Sequence, residues 1–239
     1  MHAAGATGEI ARLTFVSPSD RPSRHEISDA VTGLGWGLVL GAIYTEVAVS
    51  SLADAGETAA LVVAAVGAGG QGHVGIDIRD DRVVVRLQSA SVGAVTDVDI
   101  ALAQAISSAL SERDLHLSPG SVQALEIAID ALDIDAVRPF WQAITGYVDE
   151  AGPSDLTDGL IDPAGRGPAI WFQQMDAPRP QRNRIHLDID VPHDMASMRI
   201  AAAIAAGGTL LSDAQAPAFW VLADPEGNEA CICTWQGRD

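Results

Sequence analysis

Two short stretches in the C-terminal half alternate apolar and polar residues with a period of two, as half-buried strands do. In the first, Leu125, Ile127 and Ile129 oppose Glu126, Ala128 and Asp130. In the second, Ile185, Leu187, Ile189 and Val191 oppose Arg184, His186, Asp188 and Asp190. Glu126 and His186 hold matching places 60 residues apart. Each stretch is followed by a helical pattern, about Asp133–Thr145 and His193–Ala206, that ends at Gly146 and at Gly207-Gly208. Each then reaches an Asp-Pro-x-Gly turn, at Asp162–Gly165 and Asp224–Gly227. The remaining segments read as short strands, so residues 121–236 predict β-α-β-β-β twice. Ionisable groups at equivalent points of a repeat suggest two modules facing one site.

The region before it has another rhythm. His25–Thr32 reads as a helix, Trp36–Leu40 and Ile43–Val49 as strands, and Ser51–Val66 as an alanine-rich helix halted by glycines. Val74–Arg79 and Arg82–Leu87 read as a hairpin turning at Asp80-Asp81, and Asp97–Leu110 as a helix. The predicted order over residues 25–114 is α-β-β-α-β-β-α. Leu115–Gly120 reads as the domain boundary, because serine, proline and glycine follow the helix. Residues 1–24 lack periodicity and read as a loose leader.

Composition narrows the function classes. The chain has 239 residues, 48% of them hydrophobic, enough for two modest domains with real cores. The formal net charge is −18, and all 14 basic residues are arginine. Such an acidic chain is a poor partner for nucleic acid or an anionic membrane. No run of about 18 unbroken apolar residues predicts a membrane helix, and the N-terminus has no basic-then-apolar signal pattern. The expectation is a cytoplasmic protein. Cys231 and Cys233 stand two apart on one strand face, where a mutual disulfide fits poorly, and free thiols suit a reducing compartment.

The repeat, the strand Arg-Ile-His-Leu-Asp-Ile-Asp-Val, Ala205-Ala206-Gly207-Gly208 and the turn Asp-Pro-Glu-Gly-Asn-Glu from Asp224 to Glu229 resemble the vicinal-oxygen-chelate superfamily. That superfamily includes glyoxalases, bleomycin-resistance proteins and extradiol dioxygenases. The resemblance implies an α+β fold in which two βαβββ modules form an open barrel, with a divalent metal on the concave face. It puts Glu126, Gln173, His186 and Glu229 at the ligand positions, with Gln174 in place of Gln173 if the register slips. The superfamily's usual last ligand, three residues after the asparagine of the turn, falls here on Cys231. An oxygen-rich set suits zinc, manganese, nickel or iron, whereas a thiolate favours zinc. Glu126 and Glu229 are the candidate catalytic carboxylates. Trp171, Asp188, Trp220 and Cys231 are the candidate substrate contacts.

The N-terminal region resembles pterin-4a-carbinolamine dehydratase in its element order, in Trp36, in the run from His73 to Arg79, and in Thr96-Asp97-Val98-Asp99. The family's chemistry rests on three histidines. Here only His73 is kept, Gly72 and Ala90 stand at the other two positions, and Asp99 remains. The resemblance thus implies a degenerate pterin site at His73 and Asp99, in a domain that serves ligand binding or assembly into a homodimer. Two readings of the C-terminal region stay open. One is a metal-dependent lyase, isomerase or oxygenase acting on a small molecule with vicinal oxygens. The other is a metal-free protein that sequesters a small apolar or cationic molecule.

Overall fold

The computed structural model describes residues 21–120, 122–151, 159–178, 181, 183 and 185–237. The chain divides into two compact units, Met1–Val122 and Gln123–Asp239. Most of the N-terminal leader and Arg184 lie outside the described residues.

In the first unit, helix α1 (Arg24–Thr32) starts at Ser23, whose hydroxyl accepts from Glu26 N while the Glu26 carboxylate accepts from Ser23 N. This reciprocal cap satisfies two backbone donors that a helix start otherwise leaves open. Strands β1 (Gly37–Val39) and β2 (Ala42–Ala48) follow, then helix α2 (Leu52–Val66), capped by Ser51. A 3₁₀ turn, Gly67–Gly70, leads into β3 (Val74–Ile78), β4 (Arg82–Leu87) and α3 (Asp97–Ser111). These elements match the predicted order. The sheet runs β1-β2-β4-β3, with every neighbouring pair antiparallel.

One segment departs from expectation. Leu117–Ser118, inside the stretch expected to be linker, forms strand β5 and pairs with β2 through Glu46↔Ser118 and Val47↔Leu117. Its serine and proline signal a loop, but Leu117 finds a place against the apolar core, which includes Trp36, Ile43, Val47, Val85 and Ile106. Tertiary pairing thus overrides local turn chemistry.

Among the described residues, one span, Leu52–Gly70, is long and apolar enough by length and composition to cross a membrane. Ala55, Thr58, Ala59 and Val62 on that span are buried within the unit, and α2 packs on α3.

The second unit contains β-α-β-β-β twice. The first set is β6 (Glu126–Ala131), α4 (Ile134–Thr145), β7 (Val148–Asp149), β8 (Leu160–Ile161) and β9 (Ala169–Gln174). The second is β10 (Leu187–Asp190), α5 (Ala196–Ala205), β11 (Thr209–Ser212), β12 (Phe219–Ala223) and β13 (Glu229–Cys233). The chain is therefore α+β, with mixed sheets ordered β6-β9-β8-β7 and β10-β13-β12-β11. In each sheet the first and last strands run parallel and the other pairs are antiparallel.

The apolar faces of both sheets and both helices share one core, with Ile129, Phe140, Trp141, Ile170, Phe172, Ala203, Leu222 and Ile232 buried. Full burial of side chains this large contributes about 1.5–3 kcal/mol each. Close approach decides two glycines. A Cβ on Gly208 would lie 2.4 Å from a Phe140 ring carbon, and one on Gly146 would lie 2.6 Å from Arg199 Nη1. Gly146 also ends α4 at φ 74°, in the left-handed region that favours glycine.

The turn between β12 and β13 fastens the second repeat to the first. Buried Asp224 accepts from Trp141 Nε1 at 3.0 Å, from Glu226 N and Asn228 N at 2.9 Å, and from Asn228 Nδ2 at 2.8 Å. Glu226 accepts from Leu132 N at 2.9 Å and Asp133 N at 2.7 Å, at the start of α4. A carboxylate there meets exposed amide donors and the positive end of the helix dipole.

Candidate functional site

Pairing register decides which predicted residues meet. In the second repeat, Asp188 pairs with Cys231 and Asp190 with Cys233, while Leu187, Ile189, Ala230 and Ile232 occupy the core side. His186 immediately precedes β10, and its Nε2 lies 3.3 Å from Asp188 Oδ1. His186, Asp188 and Cys231 each offer one donor atom, all within 4.8 Å of one another. Among the described residues this is the one group of three or more His, Cys, Asp or Glu side chains placed to share an ion. His186 and Asp188 are exposed, whereas Cys231 is buried.

Burial, followed by the hydrogen bond with Asp188, pushes the Cys231 thiol up to about 12. Without a cation the thiol therefore stays protonated near neutral pH. A metal ion supplies the positive charge that stabilises a thiolate. Imidazole nitrogen, carboxylate oxygen and thiolate sulfur together form a set that zinc accepts in tetrahedral sites. The residues present thus fit such an ion. Glu229 starts β13 two positions before Cys231 on the same strand face, and its charge also bears on the thiol.

The first repeat presents a different surface. Glu126 and Gln173 are both exposed on strands β6 and β9, but the parallel register pairs Gln173 with Asp130 and Glu126 with Ala169. Gln173 therefore stands four residues along the ladder from Glu126, about 13 Å at strand spacing. Gln174 pairs with Ala131 and donates to Leu132 O and Met175 O. The residue in register with Cys231's place is Trp171, paired with Ala128 and exposed. Burial, with a contribution from nearby Glu126, raises the Glu150 carboxyl above its ordinary value.

Trp220, a candidate substrate contact, is half-buried. It pairs with Ile232 and packs against the shared core, so it lies on the opposite side of β12 and β13 from Cys231. Its large apolar ring reads equally well as core or as ligand wall in the sequence, and only the register separates the two.

A cleft of about 740 Å³ opens along edge strands β6 and β10. Its apolar lining includes Ile127, Ile129, Met175 and Leu187, and its polar lining includes Asp130, Asn183, His186 and Glu229. Sequence reasoning missed Asn183, whose Nδ2 donates to Asn228 Oδ1 at 2.6 Å across the cleft mouth. It also missed Trp141 and Glu226, which line the cleft while fastening the two repeats. The amphipathic spacing of α4 marks Trp141 as inward-facing, but nothing in the sequence pairs it with Asp224.

In the first unit, His73 Nδ1 lies 2.8 Å from Asp99 Oδ1, so the ring donates to a fully buried carboxylate. Thr96 donates to the other oxygen through N and Oγ1, each at 2.7 Å. Thr96 and Asp99 thus form a capping box whose carboxylate also orients an imidazole.

Comparison with known proteins bears on this second unit. Residues 126–233 match a family model described as a glyoxalase-like domain. No curated protein matches the chain. Solved structures similar to it include a glyoxalase/bleomycin resistance protein/dioxygenase family enzyme from Burkholderia phytofirmans PsJN, at 22% identity, covering 46% of this chain and 95% of that one, with a TM-score of 0.34. A glyoxalase-related enzyme from Fulvimarina pelagi is 20% identical, with 47% and 88% covered and a TM-score of 0.36. The fosfomycin resistance protein FosX from Listeria monocytogenes is 12% identical, with 49% and 94% covered and a TM-score of 0.38.

Proposed function

We propose that the glyoxalase-like domain is a metal-dependent small-molecule enzyme, a lyase, isomerase or oxygenase acting on a substrate with vicinal oxygens. The observation that carries this reading is the convergence of His186, Asp188 and Cys231 within 4.8 Å on the polar face of β10 and β13. His186 and Cys231 would hold the ion, with Asp188 as third ligand and Glu229 or Glu126 completing the set. A bound divalent ion would polarise the paired oxygens and stabilise negative charge developing on them. Glu229, on the cleft wall, is the group we assign to accept a substrate proton at a carboxylate oxygen. Ile127, Ile129, Met175 and Leu187 would keep water from that oxygen and strengthen its interactions. The two repeats acting as halves of an open barrel belong to the same proposal, as does a homodimeric assembly.

The donor set favours zinc over manganese, nickel or iron because it includes a thiol. The test is elemental analysis of tag-free protein after incubation with zinc, manganese, nickel or iron(II). The expected result is about one zinc per chain. If no ion is retained, the alternative stands: a metal-free protein that sequesters a small molecule. The protonated, buried Cys231 thiol favours that alternative, since it then behaves as a small apolar side chain.

For the first unit we propose a ligand-binding or assembly role. The His73–Asp99 contact supports a residual pterin site, while Gly72 and Ala90 leave it without the other two imidazoles. Stopped-flow dehydration of a 4a-hydroxytetrahydropterin should show weak acceleration at most. Robust turnover that vanished in His73→Ala would reverse that assignment.

A further inference from the structure

The outer rows of the two equivalent helices differ. On α4 the row spaced i, i+3, i+4, i+7 is Asp135, Arg138, Pro139 and Gln142, each of them exposed or half-buried. On α5 the row at the same spacing is Met198, Ala201, Ala202 and Ala205, all exposed. Met198 keeps 58% of its surface in solvent, and Ile204 beside that row keeps 44%. The one charge on α5, Arg199, is half-buried and donates through Nη1 to Ile144 O at 3.1 Å. The exposed arc of α5 is therefore free of charge, and a helix that is apolar on every side is normally covered on every side. Strand β11 adjoins it: Gly208 N donates to Ala203 O at 3.0 Å, and Leu211 on β11 is 52% exposed. β11 is the outer strand of its sheet, yet it carries neither charge nor proline, the usual protections of an edge. A bulge between Leu210 and Ser212 breaks its regular ladder, so this face offers side chains rather than backbone groups.

We infer that the outer face of α5, together with Leu211 of β11, is where a second copy of this chain docks across a twofold axis. Charge selects that occupant. The chain has 32 acidic residues and a net charge of −18, but none of those acids falls between Met195 and Ser212. Two like-charged copies repel least where acids are absent, and a twofold axis sets this neutral face on itself. A cationic partner would be drawn to the acidic remainder of the surface instead. Ala201, Ala202 and Ala205 let two helices approach closely, while Met198, Ile204 and Leu211 supply apolar area to bury. The inference deepens the homodimer of the proposed function and rests on that part of it alone. It needs neither the metal nor the cleft.

The test is sedimentation velocity on the full-length, tag-free protein over a concentration series at low and high salt. The wild type should form a dimer that tightens with salt, because screening removes the repulsion between acidic copies. Ala201→Glu places a carboxylate from each copy within the face and should weaken the dimer about a hundred-fold or more. Met198→Gln, which adds no charge, should weaken it roughly ten-fold. Pro139→Glu, on the outer row of α4, should leave it unchanged. Circular dichroism of each variant should match the wild type, since the substituted side chains are exposed. A wild type that stays monomeric throughout overturns the inference, as does a dimer that survives both α5 substitutions or that salt dissociates. Zinc content, measured on the same samples, separates this claim from the metal reading. Zinc uptake by a monomeric wild type sinks only the docking face, and a substitution-sensitive dimer without zinc sinks only the metal.

Discussion

The two halves of the second unit share an order of elements but not a chemistry. On the core side, β6 with β9 and β10 with β13 present equivalent apolar residues, Ile127 and Ile129 beside Leu187 and Ile189, Ile170 and Phe172 beside Ala230 and Ile232. On the other side, His186, Asp188 and Cys231 meet in the second half, while the first half presents Glu126, Ala128, Trp171 and Gln173. The core side is constrained because both halves bury it in one cluster, where any polar replacement leaves an unsatisfied group. The other side, although it buries Cys231, joins no such shared cluster, and the halves diverge there. A repeat in sequence therefore marks matching positions without implying that both copies carry the same side chains there.

The most severe test of that contrast is a pair of substitutions. His186→Ala should weaken zinc binding by two orders of magnitude or more, whereas Glu126→Gln should change it by less than about ten-fold. Competition with a chromophoric chelator reads both. Comparable losses would mean that the two halves share the ion and would erase the asymmetry. His186 lies opposite the packed side, so the variant's thermal unfolding should match the wild type's.

Next in size is the fastening between the halves. Asp224→Ala removes a buried acceptor of four hydrogen bonds, one of them from Trp141 on the first repeat. It should cost about 2–4 kcal/mol in urea unfolding, because buried donors are left without partners. Glu226→Gln keeps the shape but removes the charge facing the two amides at the start of α4. It should cost about 0.5–1.5 kcal/mol and less at high salt. If both variants unfold like the wild type, the turn is incidental to the joint between the halves.

The smallest effect concerns the matching turn of the first repeat. Burial works to raise the Asp162 carboxyl, but donation from Ala164, Gly167 and Arg166 amides outweighs it and holds the group below its ordinary value. A carboxyl lowered in the folded state contributes stability that is present above the unfolded value of about 3.9. That contribution is lost as pH falls through the lower folded value. Asp162→Asn should therefore be slightly less stable than the wild type at pH 7 and show a flatter acid limb below about pH 4, the two proteins converging at low pH. A steeper limb in the variant would contradict that linkage. Asp224, in the equivalent turn, joins the halves, whereas Asp162's amide partners all lie within its own turn.

Much of the architecture was legible in residue order. Period-two alternation marked β6 and β10, and the apolar spacing after each marked α4 and α5. Ser23, Ser51, Thr96 and Asp133 begin helices through side-chain or capping-box contacts that their types and positions suggest. These features depend on neighbours within a few residues, so the chain states them locally. What pairs across the fold is different. That Gln173 stands beside Asp130, that Trp220 turns to the core, that Leu117 joins a sheet and that Asp188 meets Cys231 are facts of register. Register is set by the simultaneous packing of two strands and a helix, and a shift of one residue exchanges the faces. Sequence alone determined that His186 and Cys231 lie on polar or small-residue strand positions. Only the tertiary structure brought their donor atoms together, because the parallel pairing of β10 with β13 joins segments about 40 residues apart in the chain.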